Sequence, residues 1–322
     1  MLAKRRAIMS NGEIVARTPL LVPSFSSKGF PEVRDIIDYS SEVIDGPMLV
    51  SAYDLHYSKI SPPFEFPSLI FLDSGGYEAS KDLDLSDLGE SEHKPLGWTQ
   101  EMHERVLSGW KSNQHTVFIS YDHPRDRLGI VDQIARARKI LEGEDSLREI
   151  LLKPETESQR YLHMDNILQN IHSLAGFAVI GVTEKEVGNS ISDRMRNIAK
   201  LRLGLDKAGL DTPIHVFGSL DTVTTPMYFL AGADIFDGLT WLRFAYFNGL
   251  TIYKHNFGAL DLPLSSKAHQ VDARCWNGNY YYLKEMELEM KRFLQTGKFN
   301  AFKFHGDMLE KGHQNLIEEL EV

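Results

Sequence analysis

Three aspartates stand at the ends of short apolar runs in the sequence, where a side chain can leave the core and meet a ligand. These residues are Asp73, Asp122 and Asp237. A carboxylate can attack carbon as a nucleophile, and a carboxyl group can carry protons to and from a leaving group. Enzymes that break bonds at the anomeric carbon of a sugar use two carboxyls with these roles. Asp73 and Asp237 therefore form a candidate pair for exchanging a base on a sugar.

The residues near these aspartates suit a flat heterocyclic base. Gly75 and Gly76 follow the first aspartate and let backbone amides approach a ligand closely, because neither carries a Cβ. Tyr77 and Phe217 could enclose a ring between them. Guanine presents two adjacent N–H donors, which a carboxylate such as Asp122 can accept together. Each of these residues taken singly also suits an ordinary capping or core role, so their convergence carries the hypothesis.

Short apolar runs alternate along the chain with stretches of helical spacing. Continuous apolar runs are typical of strands buried on both faces of a parallel sheet. The eight runs are 20–25, 48–52, 69–73, 116–121, 149–153, 177–182, 214–218 and 234–237. The helical stretches between them are 31–39, 99–111, 130–141, 157–174, 190–208 and 221–231. This alternation predicts a closed (β/α)₈ TIM barrel, an α/β fold whose active site lies at the carboxyl ends of the strands.

The organisation of the chain follows from the same pattern. We expect a TIM-barrel catalytic domain over residues 1–255. Residues 256–322 are expected to form an appended helical subdomain, with helices at 282–294 and 307–320. Within the last strand, side-chain alternation points Asp234 and Asp237 to opposite faces, so Asp234 is expected to be structural.

Composition limits the classes of function. The chain has 322 residues, a formal net charge of −10 and one cysteine, Cys275. One thiol cannot form an internal disulfide, and it fits a reducing compartment. The basic start MLAKRR lacks the apolar run of a secretion signal, and no apolar stretch approaches the ~18 residues of a membrane span. We therefore predict a cytoplasmic protein without membrane contact, whose acidity argues against broad phosphate-backbone binding.

Several short motifs together resemble those of the tRNA-guanine transglycosylase superfamily, and they keep their order over residues 17–255. The segment Asp73-Ser74-Gly75-Gly76-Tyr77-Glu78 resembles the Asp-Ser-Gly-Gly-aromatic-Gln motif, the most specific of the set. The others are 17–23, 51–56, Asp122, 176–179, 232–237 and, more loosely, 240–243.

The resemblance implies an enzyme that replaces guanine in a nucleic acid by a 7-deazaguanine, with no cofactor. It makes Asp237 the nucleophile and Asp73 the general acid/base. The substrate-binding residues that it implies are Ser74, Gly75, Gly76, Tyr77, Asp122, Gly176, Phe177, Phe217 and Arg243. Relatives act on tRNA and one branch acts on DNA, so both nucleic acids remain candidate partners.

The sequence departs from the family pattern in places. The family's zinc site uses three cysteines and a histidine, whereas here only Cys275 and His305 stand in that region, so we predict no metal site. Lys153 stands where a glutamine is expected, and Glu78 replaces another. The zinc subdomain of relatives helps to organise dimers, so a homodimer and a heteromeric partner both remain open.

Two alternatives belong to other classes of protein. The first is a non-catalytic, nucleic-acid-binding subunit that keeps the fold and supports a catalytic transglycosylase partner. The second is an unrelated barrel hydrolase that holds a metal with His56, Asp122 and His123.

Overall fold

Eight parallel strands form one sheet that is nearly closed into a barrel. The computed structural model describes residues 1–80, 93–142 and 147–320. Its strands are Ala7–Ser10 (β1), Glu13–Arg17 (β2), Leu20–Pro23 (β3), Pro47–Ser51 (β4), Leu69–Asp73 (β5), Thr116–Ile119 (β6), Leu147–Leu152 (β7), Val179–Thr183 (β8), Ile214–Phe217 (β9), Ile235–Gly238 (β10), Ala245–Phe247 (β11) and Leu250–Ile252 (β12). The barrel order is β3-β10-β9-β8-β7-β6-β5-β4, and a bridge from Ser24 to Leu49 joins its edges. The predicted (β/α)₈ TIM barrel is confirmed.

Each of the eight predicted runs coincides with one barrel strand, and most of the predicted helices are present. The helices are Val33–Ser40 (α1), Ala52–His56 (α2), Gly76–Ala79 (α3), Gln100–Gly109 (α4), Ile130–Ile140 (α5), Met164–Gln169 (α6), Glu184–Val187 (α7), Ile191–Lys207 (α8), Thr224–Leu230 (α9), Thr240–Arg243 (α10), Lys254–Asp261 (α11), Ala268–Thr296 (α12) and Gly306–Leu320 (α13). Within the described ranges, none of these helices has both the length and the apolar character needed to cross a bilayer.

The prediction of one long helix over 157–174 is wrong. The structure has the short helix α6 there, followed by a 3₁₀ turn over Ile171–Leu174. The segment before α6 makes a hydrogen bond to another part of the chain in place of a helical one, since Leu162 N donates to Glu186 O at 2.9 Å. The Glu155 carboxylate adds a hydrogen bond from Asn166 Nδ2 at 2.6 Å. These tertiary contacts hold the segment outside helical geometry.

An N-terminal hairpin closes the amino end of the barrel. Ile8 of β1 is fully buried and packs into the apolar cluster inside the barrel, together with Val22 and Phe71. The turn between β1 and β2 holds Asn11 and Gly12 at positive φ angles of 49° and 81°, which suits the Asn-Gly pair. The closed amino end leaves the carboxyl ends of the strands as the open mouth of the barrel.

The C-terminal helices lie against the outside of the barrel. Helix α12 packs against β3, α10 and β11, while α13 packs against α8 and α9. Asn279 of α12 anchors the contact, since its Nδ2 donates to Trp241 O at 2.6 Å and Phe244 O at 2.7 Å. The same side chain accepts from Tyr246 N at 2.7 Å. The chain after β10 thereby fixes the position of α10, which borders the barrel mouth.

A buried ion network joins the start of the chain to the last barrel strand. The Arg6 guanidinium donates to Asp234 Oδ1 at 2.9 Å, and both side chains are almost completely buried. Asp234 also accepts from Ile214 N at 2.9 Å. A second partner of Arg6, Asp211 at 3.1 Å, is 73% exposed. Asp234 thus holds the amino end of the barrel together, on the side opposite the mouth.

We expect Asp234→Ala to lower the free energy of unfolding by about 3 kcal/mol, because it leaves a buried guanidinium without its buried partner. Asp211→Ala removes an exposed partner of the same arginine and should cost less than about 1 kcal/mol. Urea unfolding of both variants measures the difference. Equal losses in the two variants would contradict this account of the network.

Candidate active site

A cavity of about 430 Å³ opens at the carboxyl ends of the barrel strands. This is the end at which TIM-barrel enzymes carry their active sites. It brings together most of the residues predicted from the sequence, namely Asp73, Ser74, Gly76, Tyr77, Asp122, Phe217, Asp237 and Arg243. Two acidic side chains from distant parts of the chain therefore face one space.

Asp73, the last residue of β5, is buried in this cavity. Its Oδ2 accepts a long hydrogen bond from Gly75 N, at 3.4 Å. Burial, followed by repulsion from Glu78 and Asp237, raises the pKa of Asp73 to about 8. The carboxyl group thus favours its protonated form at neutral pH and can give a proton to a ligand.

Asp237 of β10 lies in a different environment within the same cavity. Its Oδ2 accepts from the Ser24 hydroxyl at 2.7 Å, and its Oδ1 accepts from Gly218 N at 3.1 Å. His215 Nε2 lies 3.3 Å from the same Oδ1. The Ser24 hydroxyl and Gly218 N are donors of the kind that stabilise a carboxylate. Asp73 and Asp237, two of the acidic residues that line the cavity, are therefore held by different surroundings.

The glycine pair after β5 forms a tight wall of the cavity. Gly75 has a φ of 83°, and a Cβ there would lie 2.8 Å from Tyr53 Cβ. Gly75 packs against Tyr53 and does not line the cavity. A Cβ at Gly76 would lie 2.7 Å from Asp122 Oδ2. The absence of a Cβ at Gly76 allows the first turn of α3 to approach Asp122 closely.

Tyr77 and Arg243 border the mouth. The Arg243 guanidinium donates to the Tyr77 hydroxyl at 2.6 Å, and the Lys28 ammonium lies 4.5 Å from the centre of the tyrosine ring. Phe217 enters from β9, and its ring stacks on the His215 ring with 3.9 Å between centroids. Tyr77 and Phe217 thus both line the cavity. The Lys28 ammonium lies against the Tyr77 ring, and the His215 ring lies against Phe217.

Asp122 belongs to a compact group of charges on the far wall. Its Oδ1 accepts from Arg127 Nη1 at 2.9 Å, and Lys153 Nζ lies 3.3 Å from its Oδ2. Burial alone would raise the pKa of Asp122, but Lys153 and Arg127 hold it below its usual value. Glu186, whose Oε2 is 2.7 Å from Lys153 Nζ, balances the second cation. Asp122 is therefore a fixed, ionised acceptor.

Gly176 and Phe177, which were predicted to contact a base, do not line the cavity. The strand in this region begins only at Val179, and both residues precede it at the amino end of β8. They line a separate surface depression together with Ala7 and Pro213. The predicted strand, the apolar run 177–182, therefore starts two residues before the observed strand.

Several residues of the site were not predicted as functional. Ser24 is one residue beyond β3, and Glu186 lies in the short helix after β8; both are ordinary residue types at strand ends. His215 and Glu149 lie inside the barrel, as charged or titratable residues within β9 and β7. A polar residue inside a run of apolar residues was the available signal, because such a residue is costly to bury without a partner.

The residues of the metal hydrolase alternative do not converge on a common centre. His56 packs edge-on against Trp98, and His123 stacks beside Tyr121. Asp122 is already neutralised by Arg127 and Lys153. In the part of the chain that the structure describes, no three histidine, cysteine or acidic side chains form a group that could hold a metal ion.

The residues left in the family's zinc region also do not suit zinc. Cys275 lies in an apolar cluster with Ala245 and Phe257, where burial raises the pKa of its thiol to about 12. His305 Nε2 is engaged with Gly249 O at 2.7 Å. A zinc ligand is a thiolate, which these surroundings disfavour.

Comparison of the chain with protein-family models gave no match, and comparison with curated protein sequences gave no significant match. The class of protein that the coordinates define is a TIM barrel with a cavity at its mouth, where Asp73, Asp237 and other acidic side chains converge.

The raised pKa of Asp73 predicts a pH-dependent cost to stability. The folded protein keeps this proton up to a pKa of about 8, whereas the reference value is 3.8. Between these values the folded state binds more protons, so this contribution to the free energy of unfolding falls as pH rises. We expect Asp73→Asn to be more stable than the wild type at pH 8, by at least about 1 kcal/mol, and the gain to shrink toward pH 5.

Urea unfolding at both pH values measures this gain. Asp126→Asn serves as the control, because its carboxylate is 44% exposed and pairs with Arg136 outside the cavity. A gain for Asp73→Asn that is the same at pH 5 and pH 8 would show that the residue carries no such proton.

Proposed function

We propose that this protein is a transglycosylase that exchanges guanine for a 7-deazaguanine in a nucleic acid, through a covalent ester between Asp237 and the sugar. The observation that carries the proposal is the pairing of unlike acidic groups in one cavity. Asp73 is a buried carboxyl with a raised pKa, and Asp237 accepts hydrogen bonds from Ser24 and Gly218. An acid and a nucleophile are the two groups that such an exchange requires.

The reaction divides between these groups as follows. Asp237 attacks the anomeric carbon and forms a C–O bond while the glycosidic C–N bond to guanine breaks. Asp73 gives its proton to the departing base, which leaves neutral. The now ionised Asp73 then removes the proton from the ring nitrogen of the entering base. That nitrogen attacks the same carbon and releases Asp237 as a carboxylate, so both aspartates return to their starting forms.

The far wall of the cavity suits the edge of a guanine. Asp122 accepts from Arg127 and faces Lys153, and its carboxylate oxygens keep lone pairs for a second donor. The adjacent N1–H and amino group of guanine are such donors. A base without that donor pair would leave the remaining lone pairs of Asp122 unmatched, which favours guanine-like bases. Tyr77 and Phe217 are the side chains that could stack against the ring.

The resemblance in motif order supports the nucleic-acid substrate, and the charges of the chain limit how it is held. The net charge is −10, and several arginines are paired with carboxylates, as Arg194 is with Glu184. Contacts near the mouth, such as those of Arg243, would then carry much of the binding. We therefore expect binding to a short segment around the exchanged nucleotide in place of an extended backbone contact.

We expect the purified protein to form a covalent adduct with a guanine-containing nucleic acid, visible on a denaturing gel, and Asp237→Ala to abolish it. The variant lacks the oxygen that attacks the sugar. The assay is run on tRNA and on DNA at about 100 mM salt, since binding without a stated salt concentration cannot be compared. Asp211→Ala, which changes an exposed carboxylate at the other end of the barrel, is the matched control.

An adduct of undiminished yield in Asp237→Ala would refute the assignment of the nucleophile. Absence of any adduct and of guanine exchange with both nucleic acids would favour the alternative of a non-catalytic subunit. That alternative gives no reason for two unlike acidic groups to share a cavity, which is why the enzyme is preferred.

A further inference from the structure

A buried histidine links the candidate nucleophile to a second carboxylate deep inside the barrel. His215 Nδ1 lies 2.8 Å from Glu149 Oε1, and His215 Nε2 lies 3.3 Å from Asp237 Oδ1. The side chains of His215 and Glu149 are completely buried. Glu149 lies on β7, His215 on β9 and Asp237 on β10. The three side chains form a row that leads from the barrel interior to the cavity.

Burying the Glu149 carboxylate inside the barrel is energetically unfavourable, and the barrel has to leave space for it. A carboxylate without solvent is expensive unless it is paired, and the apolar interior offers no other partner as close as the histidine. A Cβ at Gly181 of β8 would lie 2.8 Å from Glu149 Oε1 and 2.6 Å from the Phe217 ring. Glycine at this position therefore leaves the space that Glu149 and the ring stack occupy.

Resting on the proposed function, we propose that His215, held by Glu149, is a positioning residue that fixes the orientation of the Asp237 carboxylate for attack. An imidazolium carries one proton at each ring nitrogen, so His215 can face Glu149 with Nδ1 and Asp237 with Nε2. Asp237 then keeps a defined orientation through His215, Ser24 and Gly218 N. His215 itself does not line the cavity.

The charges around His215 favour the imidazolium. Burial alone would lower the pKa of His215, but Glu149 and then Asp237 raise it to about 9. The other sides of the ring meet Phe71 of β5 and Phe217, which carry no charge. Among the described residues, Glu149 and Asp237 are thus the ionisable groups that face it.

The row also suits the covalent step. When Asp237 becomes an ester, its negative charge is lost, and an imidazolium without a second partner would be left uncompensated. Glu149 remains as the counter-charge, so His215 can stay protonated throughout. Proton transfer to and from the bases is then left to Asp73.

The test compares His215→Asn and Glu149→Gln with the wild type in base exchange as a function of pH. We expect His215→Asn to lower kcat by about 10- to 100-fold, the range seen when a supporting partner of a reacting group is removed, with KM within about twofold. Glu149→Gln removes the main charge that holds the imidazole proton. Its rate relative to the wild type should therefore fall as pH rises from 6 to 8.5.

The matched control is His103→Asn, because His103 is an equally buried histidine that packs beside Trp98 and Tyr121. It should lose stability without the change in pH profile. A His215→Asn variant that folds and keeps the wild-type kcat overturns the proposal, and so does a Glu149→Gln profile parallel to that of the wild type.

A second measurement does not depend on activity. In ¹⁵N-histidine NMR of the wild type, the resonances lost in His215→Asn should report an imidazole protonated on both nitrogens at pH 7.5, and Glu149→Gln should shift them toward the neutral form. A neutral His215 in the wild type overturns the inference even if Asp237 is the nucleophile. Conversely, an Asp237→Ala variant that still forms adduct overturns the proposed function and leaves the charge state of His215 to be read independently.

Discussion

Two acidic side chains that would repel each other if both were ionised share one cavity, and the rest of the site depends on how the protein keeps them different. Repulsion between Asp73 and Asp237 in a poorly solvated space makes it unfavourable for both to be ionised. The structure resolves the conflict by unequal surroundings. Asp73 has apolar burial and Glu78 beside it, whereas Asp237 has Ser24, Gly218 N and His215. Groups whose environments push their proton affinities apart are the usual basis for assigning an acid and a nucleophile.

Elements at the amino end and on the outside of the barrel hold the strands that carry Asp73 and Asp237 in place. The β1–β2 hairpin closes the amino end, and the Arg6–Asp234 ion pair ties that end to the last barrel strand. The carboxyl end is left open, with α10 held in place by α12. Rigid strands inside and helices outside let side chains from distant segments keep a fixed relation, which a site built on loops alone would not ensure.

The barrel and most of its mouth could be predicted from the sequence because strand ends in a parallel barrel converge by topology. Once β5 and β10 are recognised as apolar runs, Asp73 and Asp237 must face the same end. The role of Gly176 and Phe177 was inferred from the resemblance alone, and both residues lie before the start of β8, away from the mouth. The pairing of His215 with Glu149 could not be predicted, since it depends on which residues of separate strands point inward at the same level. The sequence shows Lys153 as a departure from the family pattern, but it does not show that Lys153 pairs with Asp122, which lies on another strand end.

The most direct test of the account is to locate the covalent bond. The protein is incubated with guanine-containing tRNA or DNA, denatured, digested with nuclease and protease, and its peptides are weighed by mass spectrometry. The account predicts one sugar-bearing peptide, with the ester on Asp237 and an unmodified Asp73. A sugar attached to Asp73 or to any other residue would contradict it.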